Sequence, residues 1–244
     1  FHGFSLYSTN VFTLKAMLGW LKDFISLIYP HLCASCGKTL YRKENCICSF
    51  CKISFPKTNF HNEKDNPISK IFWGRAKVHS AAAYCFFNKG DKIQHVMHEL
   101  KYKGNAQVGV EMGKLYGSDL EKSDLFSNAD FLVPVPLHKT RQKNRGYNQA
   151  EVIANGLSET MKIPVDITTL IRGKYNETQT KKSHYERWKN VDSIFQITDL
   201  NRFSNKHVII VDDVITTGST LEACVQTLLP VEGIKVSVVT LAYA

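Results

Sequence analysis

No stretch of this 244-residue chain reaches the ~18–20 consecutive apolar residues that a membrane-spanning helix needs. Lys15, Lys22, Asp23 and Pro30 interrupt the hydrophobic region near the N-terminus, and the same charges spoil the core of a signal peptide. The cysteines do not form the evenly spread set of a secreted disulfide framework. There are seven, an odd number; five fall between Cys33 and Cys51, while Cys85 and Cys224 stand apart. That usage points to a reducing compartment. Two common phosphate motifs are missing as well: no lysine follows the glycine of the one phosphate-sized loop, as a P-loop requires, and no G-x-G-x-x-G follows a strand. No recognisable base-reading element is present.

What is present is a globular composition. The chain is 43% hydrophobic, enough for a packed core in one or two domains. Lysine and arginine outnumber aspartate and glutamate by 31 to 22, a net charge of +9 that favours polyanionic partners or ligands.

The most informative stretch is Val208 to Thr220. Val208 to Val211 are β-branched without interruption, as in a strand buried on both faces of a parallel sheet, and they end in the pair Asp212 and Asp213. Thr216, Thr217, Gly218, Ser219 and Thr220 follow; then Leu221, Cys224, Val225 and Leu228 take the spacing of an amphipathic helix. A glycine-containing loop at a helix N-terminus can wrap a phosphate with backbone N–H groups, and hydroxyls add donors. Two carboxylates at the carboxyl end of a strand can accept hydrogen bonds from a sugar diol or sit near a metal. Taken singly, the serine and threonines could merely cap a helix after an acidic turn. The ordered combination suits a sugar phosphate.

A second constellation lies near the N-terminus. Cys33 and Cys36 form one C-x-x-C knuckle, with Gly37 directly after it, and Cys48 and Cys51 form another. Four thiolates at this spacing can surround one tetrahedral zinc, and so small a segment needs such a staple to fold. The site would be structural, with no open coordination position. Cys46 could compete as a ligand; His31 and His61 are weaker alternatives.

The rest reads as alternating elements. Residues 1–16 carry no clear chemistry, and the natural start is expected near Met17, where an apolar face made by Met17, Leu21, Phe24, Ile25 and Ile28 predicts a helix ending at Pro30. The polar stretch from Pro56 to Lys70 reads as a linker or long loop at a domain boundary. A strand is expected within Val78–Phe87 and a helix through Ile93, Val96, Met97 and Leu100. That helix ends at Lys101-Tyr102-Lys103-Gly104, a pattern read as ordinary C-capping. His95 and His98 are read as surface or packing residues. A second helix uses Val108, Met112, Leu115 and Tyr116, and a buried strand spans Phe131–Pro136.

Lys139, Arg141, Lys143 and Arg145 alternate after that strand, so an extended segment would point four cations one way, toward a pyrophosphate or a nucleic-acid backbone. A helix from Ala150 to Met161 follows. The polar, cationic stretch from Arg172 to Asn190 reads as a lid. Short strands at Phe195–Ile197 and Val236–Leu241 complete the pattern.

The stretch Val211 to Thr220 resembles the diphosphoribose-binding signature of type I phosphoribosyltransferases. With the zinc knuckles, Lys101 to Gly104, Val133 to Leu137, Arg145 to Gln149, and Gln179 with Arg187 and Asn190, the chain from about Met17 to its end resembles the ComF (ComFC) family, associated with natural transformation. The resemblance implies an α/β fold, a mainly parallel type I phosphoribosyltransferase-like sheet flanked by helices, with a small double-zinc-ribbon-like module before it. The expected division is an N-terminal extension and helix at 1–30, a zinc module at 31–66 and the phosphoribosyltransferase-like domain at 67–244.

It implies, too, a cytoplasmic protein that binds 5-phosphoribosyl-1-diphosphate (PRPP) with magnesium and handles single-stranded DNA, with other DNA-uptake proteins as further partners. Asp212 and Asp213 would hold the ribose hydroxyls, residues 216–220 the 5′-phosphate, and Arg141, Lys143 and Arg145 the diphosphate. The alternative is an active transferase passing phosphoribosyl to an unidentified acceptor such as a nucleobase; whether the chain turns PRPP over is left open.

Overall fold

The computed structural model describes residues 29–173 and 194–244. Four parallel strands form the central sheet in the order β1-β6-β5-β2, where β1 is Ser80–Phe86, β2 Phe131–Pro134, β5 His207–Ile215 and β6 Lys235–Tyr243. The register runs Phe131 to Val208, Val208 to Val236 and Ser80 to Ser237. The expected strands are all there. Strand β5 is longer than the hydrophobic run predicts, because its ladder continues through both aspartates to Ile215. Two remaining strands, β3 (Leu170–Arg172) and β4 (Phe195–Ile197), pair antiparallel in a separate small sheet.

Successive residues of a strand face opposite sides, and the sheet buries both. Ala82, Tyr84, Ile209, Val211, Val239 and Leu241 face one apolar layer; Ala81, Ala83, Val208, Ile210 and Val238 face the other. The first layer is closed by helices α3 (Lys92–Tyr102), α4 (Ala106–Leu120) and α6 (Gln149–Met161). The second is closed by α2 (Pro67–Ile71) and α7 (Ser219–Leu228). Helix α1 is Ser49–Ser54 and α5 is Lys139–Arg145. Helices α4 and α6 touch backbone to backbone: a Cβ on Gly156 would strike the Val110 carbonyl, and one on Gly113 the Ile153 carbonyl.

Beyond the adjacent strands β2 and β5, α6 (which follows the short α5) and α7 pack on opposite layers. A crevice therefore opens at the carboxyl ends of β2 and β5, the place where open α/β sheets bind ligands.

Two local expectations are corrected. Residues 56–70 are no free linker: Lys57 bridges Cys85, Thr58 N–H donates to the Tyr84 carbonyl at 2.9 Å, and buried Asn66 caps α2 while donating to Ala81 O at 2.7 Å. The chain there is tied to the edge of β1, where its polar groups find the partners that strand's free side offers. The row of cations from 139 to 145 is helical, not extended, started by His138, whose ring accepts from Thr140 N–H, and stopped by Gly146 at φ 82°. Arg141 and Arg145 share one side of that turn, and Lys143 lies about 200° round from both. The helix expected at 17–28 and most of the lid expected at 172–190 fall outside the described residues.

Candidate ligand site and metal centre

At the crevice, Asp213 is buried and pairs with Lys101 Nζ at 3.2 Å. Lys101 comes from the last turn of α3, so the basic end read as a simple cap is aimed at the acidic pair. The Asp213 N–H donates to Asp212 Oδ1 at 2.8 Å. Asp212 beside it is half-buried. Burial first, then the neighbouring Asp213 carboxylate, push it up to about 7, against the opposing effects of that N–H and of Lys101. Burial and the facing carboxylate thus favour the protonated form of Asp212.

The loop after β5 turns sharply. Gly218 has φ 75° and starts α7; a Cβ there would meet the Ile71 side chain at 2.8 Å, so both conformation and space require glycine. Thr216, Thr217, Ser219 and Thr220 are exposed around it, with Thr217 Oγ1 and Ser219 Oγ 3.0 Å apart. Arg75 braces the loop, donating to the Thr217 carbonyl at 2.8 Å and pairing with Glu222 on α7.

The loop after β2 supplies the other wall. Val135 N–H donates to the Val211 carbonyl at 2.9 Å, and Asn148 Nδ2 to the Val135 carbonyl at 3.0 Å, which fixes the start of α6 against β5. Arg145 donates to Gln149 Oε1 at 2.8 Å and lies 5.9 Å from the ring centroid of Tyr102, beside Lys101. Gln149 Nε2 is buried without a hydrogen-bond partner among the described residues. Arg141 and Lys143 are exposed on α5. The structure thus draws Arg145 toward the Lys101 turn and leaves Arg141 and Lys143 on the outer helix. Sequence reading singled out neither Lys101 nor Arg75 for this site. The signals for Lys101 were the cluster of cations at a helix end and the place of Lys101 to Gly104 in the family resemblance, neither of which gave it a partner; Arg75 had none, since its partner lies 147 residues away.

The four sulfurs of Cys33, Cys36, Cys48 and Cys51 lie within 4.8 Å of one another. Cys36 Sγ and Cys48 Sγ are 3.8 Å apart. Sulfurs at the ~2.3 Å zinc–thiolate distance from a tetrahedral centre stand about 3.8 Å from each other, so the donor set fits a zinc ion. Cys46 is outside the cluster, with its sulfur 3.7 Å from the Gln107 carbonyl and its thiol pushed up to about 12, first by burial and then by Glu111. His31 is exposed and His61 is buried against Tyr116, both apart from the cluster. Lys52 pairs with Glu111 on α4, and Lys92 Nζ donates to Ser54 Oγ at 2.8 Å, so the cysteine module is seated on the α3–α4 layer.

Residues 144–244 match the phosphoribosyl transferase domain. The chain is thus similar to that class over its C-terminal part, and the similarity falls within a mainly parallel sheet flanked by helices, preceded by a four-cysteine cluster. Glutamine phosphoribosylpyrophosphate amidotransferase from B. subtilis, solved with ADP and GMP, aligns over 59% of this chain and 30% of its own at 20% identity and a TM-score of 0.40.

Among characterised proteins, Competence protein F of Haemophilus influenzae is 38% identical over 104 residues, which are 42% of this chain and 45% of that protein. Competence protein ComFC of Bacillus subtilis is 27% identical over 203 residues, 83% of this chain and 73% of that one. DNA utilization protein YhgH of Escherichia coli K12 is 25% identical over 202 residues, 81% of this chain and 84% of its own. The chain spans less than half the length of the first of these. The expected resemblance to the ComF family holds.

Proposed function

We propose that this protein binds PRPP with magnesium in the crevice between β2 and β5 and handles single-stranded DNA in natural transformation, acting in the cytoplasm with other DNA-uptake proteins. The observation that carries the ligand assignment is the continuous path from the Asp212–Asp213 pair on β5 to the Gly218 loop at the start of α7. Asp212 and Asp213 hold the ribose hydroxyls, the N–H groups and hydroxyls of 216–220 hold the 5′-phosphate, and Arg145 and Lys101 face the diphosphate, with Arg141 and Lys143 contributing charge from the outer helix. Bound PRPP with magnesium supplies a ribose carbon with diphosphate as its leaving group. The chain's residues anchor the sugar and concentrate positive charge where diphosphate departs.

The DNA part of the reading is supported by the names of the relatives, two competence proteins and a DNA utilization protein, and by the net charge of +9. Residues 31–66 hold a structural zinc on Cys33, Cys36, Cys48 and Cys51, and residues 67–244 form the ligand-binding domain.

Calorimetric titration with PRPP and magnesium tests this assignment. Saturable binding that Asp212→Ala and Asp213→Ala abolish is expected; no uptake of PRPP by the wild-type chain overturns it. A diphosphate-release assay across nucleobases then separates a binding protein from a transferase: release with any one of them establishes turnover.

A further inference from the structure

The segment leading into β1 forms a second cavity, of about 520 Å³, that shares no lining residue with the acidic pair or the 216–220 loop. Lys64, Trp73, Arg75, Lys77 and His79 line it together with a single carboxylate, Asp65. Trp73 is 60% exposed. A tryptophan left in solvent beside a cavity is unusual, because indole is a large apolar surface that folding normally covers. Lys70 Nζ stands 5.8 Å from the centroid of that ring, so the edge of the cavity pairs an aromatic face with cations.

The cations are not equivalent. Arg75 is committed to Glu222 and to the Thr217 carbonyl, which leaves it a brace. Lys64 and Lys77 are exposed, and no carboxylate of the described residues pairs with either. His79 is held below its usual value first by burial, then by the ammonium charges of Lys235 and Lys64, which marks this end of the cavity as electropositive.

An exposed aromatic ring flanked by unpaired ammonium groups is the arrangement that takes a base on its π-face and a phosphate on its charges. We propose that this cavity is a nucleotide-binding subsite, with the base stacked on Trp73 and the phosphate held by Lys64 and Lys77. The strand-bound form of that nucleotide rests on the DNA reading above; a free mononucleotide would use the same chemistry.

The test titrates the full-length chain with two probes, a short fluorescein-labelled oligo-dA strand followed by anisotropy and dAMP followed by calorimetry. Trp73→Ala is expected to weaken strand binding by roughly fivefold to a hundredfold, the range for one stacked base, without altering its salt slope. Trp73→Phe recovers most of the affinity. The Lys64→Ala/Lys77→Ala double variant lowers the magnitude of the log–log salt slope by about 1.4, the value for two single-strand phosphate contacts.

If the strand binds and Trp73→Ala leaves its affinity within twofold of wild type, the subsite is overturned while the DNA reading stands. If the strand does not bind but dAMP does, in a manner sensitive to Trp73, the DNA reading fails and the subsite serves a free nucleotide. Binding of neither probe overturns the subsite. Because Trp73 is exposed, all variants should melt with the wild type.

Discussion

At the scale of single residues, the acidic pair is the feature with the most consequence. Asp212 is pushed up to about 7 by burial and by Asp213, so the folded chain retains a proton that an unfolded aspartate has lost by about pH 4. The contribution is therefore most favourable below pH 4 and is lost as pH rises through 7. Asp212→Asn is expected to raise the melting temperature above pH 7 and to leave it almost unchanged near pH 4; a gain that does not depend on pH would contradict the coupling. Lys101 opposes the same repulsion from the other side. Lys101→Met should cost about 1.5–3 kcal/mol in urea unfolding, the range for hydrogen bonds to charged groups, and should weaken PRPP binding.

At the scale of elements, two junctions define the architecture. Helices α4 and α6 meet through Gly113 and Gly156, where a side chain has no room. Gly156→Ala is expected to destabilise by roughly 3 kcal/mol or more, because the clash is with backbone and cannot be relieved by a rotamer. Gly104→Ala, at φ 68° with open space around it, should cost only about 1–2 kcal/mol; chemical denaturation of both variants checks the contrast. The second junction is the cysteine module. Cys51→Ser should remove bound zinc and loosen the module from α3 and α4, whereas Cys46→Ala, outside the four-sulfur cluster, should retain a full equivalent; metal analysis of the purified variants decides. The cysteine spacing was enough to find the cluster. Excluding Cys46 needed the fold, which turns its sulfur toward Gln107.

At the scale of the whole molecule, the response to acid also involves a group at the opposite end of β5 from the acidic pair. His207, buried at the start of β5 with Nε2 2.8 Å from Ser237 Oγ, is pushed down to about 4, first by burial and then by His79. The unfolded chain takes up a proton near pH 6.5 that the folded one refuses, so stability present above 6.5 is lost as pH falls toward 4. The loss is on the order of 3 kcal/mol. It opposes the Asp212 contribution over the same window, and His207→Gln should flatten acid denaturation below pH 6 as followed by circular dichroism.

The amino-acid order alone determined the strand of β-branched residues, the acidic pair, the Gly218 loop and the paired knuckles, because each depends on neighbours within a few positions. The ladder's extension through Asp212 and Asp213 escaped it, since two carboxylates contradict the hydrophobic pattern that marks a buried strand. So did the helical winding of residues 139–145, where a cap at each end outweighed an alternation of charge. The Lys101–Asp213 pair and the Arg75 brace join residues more than a hundred positions apart. Only tertiary structure decided them, because the parallel crossovers of the sheet bring together strand ends and helix ends that no local pattern connects.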